Sequence, residues 1–267
     1  VKTKEPREEV LKKKTFLDKK IRQLFNELLN MNSIRDVLVL SFILSTMLLV
    51  LFIFYLSRLH GALFWIYIVL FVLYIFITTV SFKAFNRLRK GTKDEYDIAV
   101  KEREAEIEVQ DFLRKNLSEE YNLFENIYTG YGDIDAIVVG PTGIYMIEVK
   151  SNSGLIAEKD KSKGYLSIIE GDDSKKNYRD QVKKELAQVK NYIDINTGLN
   201  SWVYPVLLFP FGSVMKDLNL TSEYDNLILP VLNEKDLLKY IYSNNQTKLA
   251  SDQIKKIAKA LEEWQKG

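Results

Sequence analysis

The chain of 267 residues has no cysteine and a single histidine, His60. The first absence excludes disulfides, thiolate metal sites and cysteine nucleophiles, and says little about compartment. The second excludes a multi-histidine zinc site and, from the position of His60, a histidine base in the polar part of the chain. A metal would have to be held by carboxylates, a donor set that suits magnesium or manganese better than zinc. Internal repeats and low-complexity tracts are also missing. The net charge of +2 hides a division: residues 1–93 carry 16 Lys/Arg against 6 Asp/Glu, and residues 94–267 carry 22 against 30.

The basic part contains two long uncharged runs. Val37–Ser57 has 21 residues between Asp36 and Arg58, and Gly61–Phe82 has 22 between His60 and Lys83. About 20 apolar helical residues cross a bilayer core. The link Arg58-Leu59-His60 is too short for a domain, so the runs are expected to form a helical hairpin (37–57 and 61–82). Lys and Arg gather before the first run and after the second, at Lys83, Arg87, Arg89, Lys90 and Lys93. The positive-inside rule then places both ends of the chain in the cytoplasm of a two-span protein of the cell membrane, with His60 outside. Residues 8–31 alternate cations with Val10, Leu17, Ile21, Leu24, Phe25 and Leu28 at helical spacing. Such a basic amphipathic segment, within residues 1–36, suits anionic headgroups of the lipid bilayer.

A polar domain is expected over residues 99–267, after a basic linker and helix start at 83–98, with Gly91-Thr92-Lys93 as the boundary. Its first helix, 94–117, places Ala105, Val109, Phe112 and Leu113 in a core stripe. Glu106 shares a flank with Val109 and Leu113 and is directed toward the sheet. After a strand at Leu123–Tyr128 come two apolar runs, Ile134–Val139 and Ile144–Val149, separated by Gly140-Pro141-Thr142-Gly143. That is a hairpin signal. Closing it about Pro141-Thr142 pairs Val139 with Ile144, Asp135 with Glu148 and Asp133 with Lys150. All four polar residues then share one face. Opposed carboxylates repel and weaken a sheet. A divalent cation between Asp135 and Glu148, with the Val149 carbonyl as a further donor, would remove the conflict. Lys150 beside it would orient or deprotonate water and steady a phosphate. A plain sheet face with a Glu148–Lys150 or Asp133–Lys150 ion pair is the competing reading.

Downstream, strands are expected at Gly154–Glu158 and Gly164–Glu170, a loop at Gly171–Ser174 and a helix at Asn177–Ile195. A buried strand follows at Trp202–Phe209, with Pro205 at a bulge or an edge. Another strand is expected at Asn226–Leu229, then helices capped by Asn233 and Ser251. Lys175, Lys176 and Arg179 would line a basic groove for substrate.

The acid followed by Glu148-Val149-Lys150 resembles the active site of the PD-(D/E)xK nuclease superfamily. The wording Gly132-Asp133-Ile134-Asp135, Gly-Pro-Thr-Gly, Ile-Glu-Val-Lys and Gly154 resembles the nuclease-related domain (NERD) family, over roughly Lys101–Phe209. The resemblance implies an α/β fold, a restriction-endonuclease-like mixed central sheet flanked by helices, here preceded by a two-helix transmembrane hairpin. It implies a magnesium-dependent (or manganese-dependent) nuclease acting on nucleic acid, DNA in particular. It matches the family's first-helix glutamate to Glu106 and its strand aspartate to Asp135, which with Glu148 would hold the metal, its Glu-x-Lys pair to Glu148 and Lys150, and a downstream helix glutamine to Gln181. Gln188, four residues before Tyr192, resembles the Gln-x-x-x-Tyr element of RecB-like nucleases, and the resemblance does not choose between the two glutamines. The chain departs from the family at Glu102 and Ala105, where members carry glycine, and at Asn177-Tyr178 in place of Asn-Pro. The alternative to an enzyme is a membrane-tethered module that binds nucleic acid or protein and has kept the nuclease fold without turnover.

Overall fold

The computed structural model describes residues 16–56, 62–129, 133–160, 165–168, 178–214, 218–222 and 225–266. Two compact units emerge, Leu17–Val100 and a second that includes Lys101–Gly267.

The first unit is built on two helices, α1 (Phe16–Leu56) and α2 (Ala62–Asn116). Both are long and apolar enough to cross a membrane, with mean hydropathy of 2.9 and 2.2 over their most apolar windows. None of either window is buried within the protein. Leu40 and Phe54 are 68% and 75% exposed, so these helices are not buried in a core of this chain. The two helices touch through Ser45 and Tyr74, whose hydroxyls are hydrogen-bonded, and through ring pairs Phe42–Tyr74 and Phe25–Tyr96. As the residue number rises on one helix it falls on the other, the signature of an antiparallel pair. The link containing His60 lies outside the described residues, as do residues 8–15 of the basic segment.

Helix α2 does not stop at Gly91. A helical glycine costs only about 1 kcal/mol relative to alanine, too little to break a helix whose neighbours favour it. The last turns of α2 belong to the second unit, where Ala105, Val109 and Leu113 are fully buried, while Glu102, Glu104 and Glu108 face outward.

The second unit is mixed α/β. Its main sheet has the order β1-β2-β3-β6-β9-β8. The strands are β1 (Asn122–Tyr128), β2 (Asp133–Gly140), β3 (Gly143–Val149), β6 (Val203–Leu208), β8 (Asn219–Ser222) and β9 (Asp225–Leu232). The first three strands form an antiparallel meander, β3–β6 and β6–β9 are parallel, and β8 returns antiparallel to β9. A small second sheet joins β4 (Gly154–Asp160) to β5 (Tyr165–Ile168) and β7 (Gly212–Val214).

Helices cover both faces of the main sheet. Val182, Val189 and Ile193 of α3 (Tyr178–Thr197) and Ile257 and Leu261 of α5 (Ser251–Lys266) pack with Ile137, Val139, Ile144 and Met146. Ala105, Val109 and Leu113, with Leu237 and Ile241 of α4 (Glu234–Ser243), pack with Ala136, Val138, Tyr145 and Ile147. The alternation of these strand residues between two cores is the period of two expected of a sheet buried on both sides. Pro205 sits in a central strand, not at an edge. It is tolerated because β9 pairs with β6 only from Leu207 onward. Asn233 caps α4 as expected, accepting from Asp236 N at 3.1 Å. Ser251 is already inside α5, whose start is closed by the Gln253 side chain accepting from Ala250 N at 2.9 Å.

Candidate active site

The hairpin turn has the expected register. Val139 pairs with Ile144 and Gly140 with Gly143. Gly143 adopts φ 137, a conformation open to glycine, and a β-carbon on Gly140 would overlap the Tyr121 ring.

At its other end the hairpin departs from the regular pairing. The β2–β3 ladder runs to Ala136–Ile147 and stops one residue short of the acids. Asp135 and Glu148 are therefore not a ladder pair, and neither are Asp133 and Lys150. Asp133 pairs across to Tyr128 on β1. Three features mark the parting point. Asp135 turns its own Oδ2 to the amide of Val149 at 2.7 Å, replacing a backbone bond with a side-chain one. Lys150 N instead donates to Leu208 O on β6 at 2.8 Å. On β1, Asn126 stands opposite Asp135 with φ 52, a left-handed backbone that interrupts that ladder too.

Buried Gln110 holds the parting strands. Its Nε2 donates to Asp135 O at 3.1 Å and to Asn126 Oδ1 at 3.2 Å. One turn earlier on α2 lies Glu106, which pairs with Arg103 at 3.0 Å. Glu106 thus faces the sheet with a cation already on it. Burial pushes Glu106 up to about 7 against the pull of Arg103, with Glu148 and Asp133 adding to the rise. Asp135, held well above the ordinary carboxylate range, is raised first by burial and then by Glu148 and Glu106. Glu106 and Asp135 therefore share a crowded space with Glu148, whose carboxylate disfavours charge on both.

The other side of the site comes from α3. Lys150 Nζ pairs with Glu148 Oε1 at 2.6 Å and donates to Gln181 Oε1 at 3.1 Å, and it lies over the Tyr178 ring at 5.1 Å. Gln181 Nε2 closes the triangle, donating to Glu148 Oε1 at 2.8 Å. Of the two glutamines it is Gln181 that meets Lys150 and Glu148. Burial works against the charge of Lys150, but the Glu148 carboxylate outweighs it and holds the ammonium above its ordinary range. At neutral pH this lysine is a fixed cation.

The structure thus brings together Glu106, Asp135, Glu148, Lys150 and Gln181. It does not add Arg179, which is buried and donates to Leu220 O at 3.1 Å. Lys175 and Lys176 lie outside the described residues, as do Gly132, Gly171–Ser174 and Asn177. Among the described residues, no group of three or more His, Cys, Asp or Glu side chains is arranged to hold a metal ion. One feature does fit a hard cation: Glu148 Oε2 is buried and has no hydrogen-bond partner, while Oε1 carries both Lys150 and Gln181. Magnesium asks for few protein carboxylates and keeps several waters, so Asp135 and Glu148 are a chemically adequate pair.

Sequence reasoning missed Gln110, Asn126, Arg103 and Glu185. Helical spacing signals two of them: Gln110 is four residues after Glu106, and Glu185 four after Gln181, on the same helix faces.

A mixed sheet wrapped by helices, with an acid–acid–lysine cluster where its hairpin opens, defines this part of the chain as an α/β domain. Residues 101–210 match the family model of the nuclease-related domain, NERD, and this part of the chain is such a domain. No curated protein and no solved structure matches the chain.

Proposed function

We propose that the domain is a metal-dependent nuclease that hydrolyses phosphodiester bonds, tethered to the cell membrane by α1 and α2 and facing the cytoplasm. The observation that carries the reading is the buried Glu148, with one oxygen engaged by Lys150 and Gln181 and the other unpartnered, in a domain that matches a nuclease-related family.

Asp135 and Glu148 are the residues to hold magnesium or manganese, which when bound would polarise the phosphoryl oxygen and acidify water. Lys150 contributes a fixed positive charge for the phosphate oxygens, on which negative charge builds in the transition state. Gln181 orients that charge by accepting from Nζ, and Tyr178 backs it with its ring. Glu106, near neutrality in its protonation, can hold or pass a proton at the edge of the site. The cations that flank the apolar runs support cytoplasmic placement, where nucleic acid, DNA in particular, is at hand.

A binding module without turnover is the second reading. It is favoured by the domain's excess of acids, which weakens backbone binding to nucleic acid, and by the closed Lys150–Glu148 pair. The test is cleavage of double- and single-stranded DNA and of RNA by the full chain in detergent, with magnesium or manganese and with chelator. Metal-dependent cleavage supports the enzyme; binding without cleavage under every metal supports the module.

A further inference from the structure

Glu185 is singled out neither by the hairpin nor by the family resemblance. It lies one turn beyond Gln181 on α3, and Gln181 ties it to Glu148. The single amide group Nε2 donates to Glu148 Oε1 at 2.8 Å and to Glu185 Oε1 at 2.9 Å. Two carboxylates are thereby held side by side, each by one oxygen. Their second oxygens, Glu148 Oε2 and Glu185 Oε2, are both buried and accept from no N–H or hydroxyl. Burial holds Glu185 up, and so does Glu148, whose carboxylate lies close enough to share a proton with it. Glu148 itself is only 4% exposed. A buried carboxylate oxygen left unpaired costs free energy, and two adjacent ones cost more because the charges repel. Lys150 does not resolve this, because its ammonium is directed to Glu148 Oε1 and Gln181 Oε1.

We propose that Glu148 Oε2 and Glu185 Oε2 together bind a divalent magnesium or manganese ion, so that Glu185 is a cation ligand of this domain. The inference rests on the metal-dependent reading above and adds to it a ligand from α3. Hard oxygen donors, a small number of protein ligands and room for waters are what these ions select. Gln181 then has a second duty, turning both carboxylates so that their free oxygens face the ion.

The test is manganese titration of the full chain in detergent, read as loss of the free-ion paramagnetic resonance signal, for the parent, Glu148→Gln and Glu185→Gln. Metal-free melting curves confirm that each variant is folded. Both variants should weaken manganese binding by about tenfold or more, since even outer-shell partners of metal ligands cost that much. Glu185→Asp, which keeps the charge but draws the carboxylate back, should fall between parent and Glu185→Gln, and it serves if the glutamine variant does not fold. Unchanged affinity in a folded Glu185 variant, with weakening in Glu148→Gln, overturns the inference and leaves the metal reading standing; Glu185 then shares only a proton with Glu148. A parent that takes up no manganese overturns both.

Discussion

Replacing Lys150 by methionine keeps the length of the side chain and removes its charge. From sequence, this lysine reads as a positioned charge whose loss leaves folding intact. The structure changes that expectation. Lys150 Nζ is 2.6 Å from Glu148 Oε1, with the lysine side chain 17% exposed and the glutamate 5%. Removing one partner of a buried ion pair typically costs 3–5 kcal/mol, because the other is left buried and charged. Gln181 Nε2 remains on the same oxygen, which places the cost at the low end, about 3 kcal/mol. Each kcal/mol moves the melting temperature of a domain of this size by about 2–4 °C, so metal-free Lys150→Met should melt about 6–12 °C below the parent near pH 7.5. The readout is intrinsic fluorescence of the full chain, in which Trp202 and Trp264 report on this unit. Adding Glu148→Gln to Lys150→Met should restore most of the loss, because no unpaired charge is then buried. A Lys150→Met protein that melts with the parent, or a double variant no better than the single, would refute the assigned coupling.

Asp135→Asn should raise metal-free stability at pH 8, because its carbonyl can still accept from Val149 N while the repulsion from Glu148 and Glu106 is gone. The same variant should lose most of the stabilisation that millimolar manganese gives the parent, both read as melting temperatures. Metal-free stability should fall as pH rises from about 5 to about 8. Glu106 and Glu185 are raised to about 7 and about 8, so the folded state holds protons there that the unfolded state has released. A melting temperature that is flat or rising over that window would contradict the crowding of the acids. Reporter fusions at the start of the chain and after Gly91 should both report cytoplasm and one at His60 the outside; opposite sides for the two ends would remove the two-span hairpin.

The legible and illegible parts of the site divide on a physical line. Local rules reach the hairpin, since strand periodicity and a Gly-Pro-Thr-Gly turn fix Val139 against Ile144. They also reach Glu106 and Gln181, which helix spacing and family resemblance place toward the sheet. They fail where one residue overrides the period. Asn126 takes a left-handed backbone opposite Asp135, and Asp135 spends a carboxylate oxygen on Val149 N, so the ladder ends before the acids meet. No pattern of apolar residues encodes that event. Arg179 fails for a different reason: its partner, Leu220 O on β8, is 41 residues away in sequence. A helical arginine reads as a surface cation until the strand that captures it is known. Gly91 misleads because glycine weakens a helix by less than the neighbouring turns support it.

The most direct test of the nuclease reading is the single-turnover cleavage rate at saturating manganese for the parent and for Lys150→Met, side by side. The comparison is made at a temperature where melting curves show both to be folded. The parent should cleave, and Lys150→Met should be slower by about two orders of magnitude or more, as is typical when a positioned acid–base or charged group is lost. Lys150→Arg should not restore the full rate, because a planar guanidinium does not replace a compact ammonium. A parent that binds nucleic acid and manganese yet never cleaves, or a folded Lys150→Met that cleaves at the parental rate, would contradict the account.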